Sequence, residues 1–155
     1  MKYFLKMNKK NELRFHNVNL STSDYIAFFR FHKFTIGHAW CSDFGDPDKE
    51  EDFHYIYKYS PLHNIRPPAS GGSYPAVLLT TADHDDRVVP SHTLKFAAEL
   101  LHVMGGGLER QKNPLMARVE TKAGHGGGKP TAKVIEEIVD VYSFLAKTMN
   151  LTFIE

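Results

Sequence analysis

The chain has 155 residues, of which 42% are hydrophobic, enough for one ordinary globular domain with its own core. With 19 basic against 18 acidic residues the formal charge is +1, so no strong field selects nucleic acid or an anionic membrane as partner. The one cysteine, Cys41, excludes an internal disulfide framework and suits a reducing compartment.

Met1-Lys2-Tyr3-Phe4-Leu5-Lys6 begins like a signal peptide, but Lys6, Asn8, Lys9 and Lys10 interrupt any apolar core. No later run has the length to cross a bilayer, and a soluble cytoplasmic protein is the expectation. Residues 1–28 show no convincing periodicity and read as a divergent, poorly determined segment, with a helix near Tyr25 to Phe34. Asp43 to Asp52 reads as an acidic loop. Phe53, Ile56 and Tyr57 then recur at helical spacing until Ser60-Pro61 ends the helix. Ile65 to Tyr74, with Pro67, Pro68, Gly71 and Gly72, is expected to be a linker.

Ala76-Val77-Leu78-Leu79-Thr80 is apolar without alternation, as expected of a parallel strand covered on both faces. Ser91 is a plausible cap for a helix whose inward face would be Leu94, Ala97, Leu101 and Met104, stopped by Gly105-Gly106-Gly107. Leu115 to Thr121 reads as a second strand. Thr131 then caps the longest helix, with Val134, Ile138, Val141, Leu145 and Met149 as its inward stripe. Strand–loop–helix–strand–loop–helix implies parallel strands joined by crossover helices, an α/β fold.

Two loops carry the chemistry: Thr80-Thr81-Ala82-Asp83-His84-Asp85-Asp86-Arg87-Val88-Val89-Pro90 and Lys122-Ala123-Gly124-His125-Gly126-Gly127-Gly128-Lys129-Pro130. Both fall at the carboxyl end of a predicted strand, where open α/β sheets bind ligands. An acid followed by a histidine is the back half of the nucleophile–Asp–His order of α/β-hydrolases. Asp85 is the preferred acid, although Asp83 and Asp86 compete and a solvated Asp/His turn would look much the same. His125 sits among glycines that leave room beside its ring, as a general base needs; a plain glycine turn with an incidental histidine is the alternative.

Other features carry less. Gly124 to Lys129 only echoes a phosphate loop, since Ala123 and Pro130 stand where glycine and Ser/Thr are required. His84, His92 and His102 lack a metal-ligand frame, so neither a metal nor a cofactor is expected. Ser73 lies in a Pro/Gly loop rather than on a strand-to-helix elbow, and Cys41 reads as a space-filling residue. Arg87 could bind a carbonyl or pair with a neighbouring aspartate; Trp40 could be core or could stack a ring.

Together with Phe31-His32-Lys33-Phe34-Thr35-Ile36-Gly37-His38-Ala39-Trp40 and Lys58-Tyr59-Ser60-Pro61-Leu62-His63-Asn64, these motifs resemble the C-terminal part of the catalytic domain of the prolyl oligopeptidase family, over residues 29–155. The resemblance implies a serine peptidase cutting short peptides after proline. In it Asp85 is the triad acid and His125 the base; Arg87 binds the peptide carbonyl before the scissile proline, Trp40 stacks on the proline ring, and Val88 forms a pocket wall. Phe44 stands where the family commonly has tyrosine, keeping the apolar contact without the hydroxyl.

The family's Gly-Gly-Ser-x-Gly-Gly nucleophile elbow, its early strands and its β-propeller do not occur here. The expectation is therefore a partial hydrolase domain that lacks its N-terminal partner segments and is inactive alone. The alternative is a non-catalytic peptide-binding or interaction fragment.

Overall fold

A computed structural model describes residues 15–19, 23–30, 36–69, 71–105 and 111–151. In chain order the elements are β1 (Phe15–Asn19), α1 (Tyr25–Arg30), a 3-10 turn (Ile36–Trp40) running into α2 (Cys41–Phe44), α3 (Glu50–Tyr59), a second 3-10 turn (Pro61–Asn64), β2 (Ala76–Ala82), α4 (Ser91–Gly105), β3 (Leu115–Glu120) and α5 (Thr131–Met149).

The strands form one sheet in the order β1-β2-β3. Both pairings are parallel, from Phe15↔Ala76 to Asn19↔Thr80 on one side and from Val77↔Leu115 to Ala82↔Glu120 on the other. β2 is central and buried at all seven positions, which is why its sequence is apolar without alternation. Val77 and Leu79 pack with Ile65, Leu100 and Met104, placing α4 on one face. Ala76 and Leu78 pack with Phe144, placing α5 on the other. The result is a three-layer α/β arrangement.

Several sequence expectations need correction. β1 falls in a stretch where no element was expected, because Phe15-His16-Asn17-Val18-Asn19 separates its two strand formers, Phe15 and Val18, with His and Asn and has no apolar run. Pairing with β2 decides its conformation. The helix expected near Tyr25 to Phe34 is present over Tyr25–Arg30, and residues 31–35 lie outside the described residues. It is capped by Asp24, whose Oδ1 accepts the Ala27 N–H at 3.0 Å. α3 starts inside the expected acidic loop, at Glu50, where Glu50, Glu51 and Asp52 complement the positive end of the helix. It stops at Ser60 as expected.

α4 is rotated from its expected face. Leu94 and Leu101 are 52% and 48% exposed, while Leu100 and Met104 are buried. The stripe that meets the sheet is Phe96, Ala97, Leu100, Val103 and Met104. Ser91 is the first helical residue rather than the cap, since the Leu94 N–H bonds the Pro90 carbonyl at 3.0 Å. Likewise Pro130, with no side-chain bond, occupies the cap position of α5 instead of Thr131. Along α5, Val134 and Ile138 of the expected inward stripe are largely exposed, and Phe144 is the buried anchor.

Leu100 and Leu94 separate these two faces experimentally. Leu100→Ala leaves a cavity between α4 and β2 and is expected to lower stability by about 2–5 kcal/mol. Leu94→Ala is expected to stay within about 0.5 kcal/mol of the parent. Urea unfolding midpoints measure both.

Candidate active site

Asp85 lies in the turn after β2, with its N–H bonded to the Ala82 carbonyl at 3.2 Å. Its side chain is wholly buried, so its lone pairs need donors. Oδ1 accepts the backbone N–H groups of Arg87 at 2.9 Å and Val88 at 2.8 Å, which fixes the carboxylate from behind.

His125 lies in the loop after β3. Gly126 bonds back to the Gly124 carbonyl at 2.7 Å, turning the chain about the histidine, and Gly126 and Gly128 adopt left-handed φ values of 84° and 74°. The ring reaches across to Asp85, with Nδ1 at 2.9 Å from Oδ1 and 2.8 Å from Oδ2. Its side chain is 27% exposed, so the imidazole faces solvent while its partner does not.

The three clustered aspartates are now distinct. Asp83 turns to His84, with Oδ1 at 2.6 Å from Nδ1, and also accepts the Ala123 N–H at 3.3 Å. The hydrogen bond from His84, helped by the backbone N–H groups of Lys122 and Ala123, holds its carboxyl down to about 2. Asp86 is exposed. Only Asp85 meets His125.

The remaining expected site residues form two groups. Arg87 and Val88 flank Asp85 and hold it through their backbones; the Arg87 side chain is exposed and Val88 is half-buried. Trp40 and Phe44 make an exposed aromatic pair, ring centroids 5.8 Å apart and tilted by 46°. Ser73 accepts the Lys112 N–H at 3.0 Å and so ties two loops together. Burial, reinforced by the carboxylates of Asp46, Asp48 and Asp52, pushes the Cys41 thiol up and away from thiolate chemistry. Among the described residues, no group of three His, Cys, Asp or Glu side chains could hold a metal. No described helix is long and apolar enough to cross a membrane.

The Asp85 loop also binds to the His125 loop through contacts that sequence did not reveal. His84 N–H donates to the Ala123 carbonyl at 3.0 Å, and Lys122 sits at a left-handed φ of 54°. Nothing in the residue type marks that position, because lysine has no preference for it.

An acid and an imidazole joined at the carboxyl ends of adjacent parallel strands define an α/β-hydrolase type of site. Comparison with known proteins narrows the class. Residues 15–152 match the prolyl oligopeptidase family, and the chain belongs to it. It is 50% identical over 128 residues to prolyl oligopeptidase A of Amanita bisporigera, and 43% identical over 126 residues to the prolyl endopeptidase of Dictyostelium discoideum. Those alignments cover 83% and 81% of this chain but 16% of each relative, so the chain spans about a sixth of the length of the curated relatives it matches.

Among solved structures, prolyl oligopeptidase B from Galerina marginata, bound to a 35-residue hydrolysis and macrocyclization substrate, superposes with a TM-score of 0.75 at 36% identity. The superposition covers 90% of this chain and 18% of that one. That enzyme has been solved with a serine, a histidine or an aspartate replaced by alanine.

The Asp83 carboxyl supplies a pH test. Its folded pKa lies below the ordinary value of 3.8, so its contribution to stability is present above pH 3.8 and is lost as pH falls through about 2. The Asp83 carboxyl carbon is expected to titrate near pH 2 by NMR, and Asp83→Asn is expected to flatten the acid limb of the stability curve between pH 3.8 and 2.

Proposed function

We propose that this chain carries the acid and the base of a serine peptidase site that cleaves peptides after proline, with the hydroxyl nucleophile contributed by a segment outside these 155 residues. The observation that supports this most directly is the contact of His125 Nδ1 with both oxygens of Asp85. A ring that donates its Nδ1 proton to a buried carboxylate presents Nε2 as an acceptor. Nε2 takes the hydroxyl proton as the oxygen attacks the peptide carbonyl, then returns it to the leaving amine. Water repeats the sequence to release the acyl group. Asp85 stays ionised throughout, holding the tautomer and stabilising the imidazolium.

Trp40 and Phe44 supply flat apolar surface for a proline ring, which has no N–H donor and is recognised by shape and desolvation. Arg87 donates to the peptide carbonyl that precedes the proline and Val88 walls the pocket; Phe44 gives ring contact alone. Residues 29–155 form the greater part of this unit, and β1 completes its described sheet. Further parts of a hydrolase domain, of the kind the much longer relatives contain, cover the apolar faces left open on α5 and β3.

A fluorophosphonate probe, which labels an activated serine, tests the division of the site. The 155-residue chain is expected to remain unlabelled; labelling that disappears in His125→Ala would overturn it. In a chimera where residues 15–152 replace the matching segment of a full-length prolyl oligopeptidase, labelling and hydrolysis after proline are expected to return. Asp85→Asn in that chimera is expected to lower kcat by about 10³–10⁴-fold through the wrong tautomer, with Asp86→Asn having little effect. A folded chimera that binds proline peptides without cleaving them favours a binding module instead.

A further inference from the structure

We infer that Asp83 is a positioning residue, whose carboxylate latches the loop after β2 onto the loop after β3 so that His125 meets Asp85. The inference rests on the acid–base reading of that pair. Asp83 is two residues from Asp85 but faces the other loop: its Oδ1 accepts the Ala123 N–H at 3.3 Å, two residues before His125. Its own N–H bonds the Glu120 carbonyl at 2.9 Å, and the next N–H, of His84, bonds the Ala123 carbonyl at 3.0 Å. One short segment of the acid loop thus binds both ends of the Thr121–Ala123 turn.

The turn depends on that anchor. Lys122 holds a left-handed φ of 54°, a conformation that L-residues with side chains rarely adopt. The turn presents the Ala123 N–H to the acid loop, and Asp83 Oδ1 accepts it. His84 closes the opposite side at 2.6 Å and fixes the carboxylate rotamer. The latch therefore offsets the strain of the turn that delivers His125. Removing it frees the Gly124–Gly128 segment to carry the imidazole away from a carboxylate that is itself held by other donors.

The test reads the Nδ1-bound proton of His125 in the 155-residue chain by NMR, assigned through its loss in His125→Gln. Asp83→Asn removes the charge but keeps an oxygen at the same reach, and the signal is expected to persist. Asp83→Glu keeps the charge but displaces the oxygens by a methylene, and the signal is expected to be lost. Should Asp83→Glu fail to fold, Asp83→Ser, too short to reach the Ala123 N–H, is read the same way. Persistence in the Glu or Ser variant overturns the latch, and so does loss in Asp83→Asn, which would make the effect one of charge. A signal that is absent from the parent chain, or that survives Asp85→Ala, overturns the acid–base reading itself and the latch with it.

Discussion

The in-register parallel pairing of β2 with β3 is the constraint on which both the core and the site depend. Ala82 and Glu120 are the last partners, so the two strands finish at one edge and their following loops must meet there. Residues 40 positions apart are thereby brought within hydrogen-bond distance. The same register sorts the side chains of β2, sending Val77 and Leu79 to α4, and Ala76 and Leu78 to α5. A slip of one residue would exchange those sets and misplace the loops together. Core packing therefore brings the two loops side by side, and the contacts between them complete the geometry of the acid–histidine pair.

Burial then gives the two partners different freedoms. The Asp85 carboxylate is closed off from solvent and accepts two backbone N–H groups as well as the imidazole, so its orientation is set before any ligand arrives. Desolvating an unpaired carboxylate would be costly, and these donors offset the cost. His125 is partly exposed and keeps one side of its ring open to solvent. Asp83, two residues away, has the same side chain but a different environment, and its engagement with His84 and Ala123 removes it from competition. Chain position alone does not separate these aspartates; the direction of the turn does.

What the sequence disclosed follows the physics of each element. β2 was legible because a fully buried parallel strand must be apolar throughout, and α3 because apolar spacing and Ser60-Pro61 bounded it. β1 was not, since Phe15 to Asn19 becomes a strand only by pairing with residues some 60 positions away in sequence. The faces of α4 were misjudged because Leu94 and Leu101 are as apolar as Leu100, and only packing against Ile65 and Leu79 distinguishes them. For the site, the order of aspartate and histidine singled out two loops that meet in the structure. The left-handed backbone at Lys122 and the bridge from Asp83 to Ala123 had no signature in residue type at all.

The surface of α5 bears on how such a site is completed. Val141 and Phe144 meet β2, yet Ile135, Ile138, Val139 and Tyr142, at i, i+3, i+4 and i+7, form a second apolar stripe that is 49–62% exposed. Met116 and Val119 of β3 are also open, at 53% and 42%. A helix with two apolar faces is suited to being covered twice, and contiguous apolar surface of this kind marks a contact to be made. Burying each such side chain contributes about 1.5–3 kcal/mol, far more than a surface ion pair like that of Arg118 with Asp140. The reading that draws a hydroxyl from another segment therefore draws a packing partner as well. Both requirements fall on a chain that spans a sixth of its relatives' length, and segments docking on α5 and β3 would stiffen the elements that lead into His125.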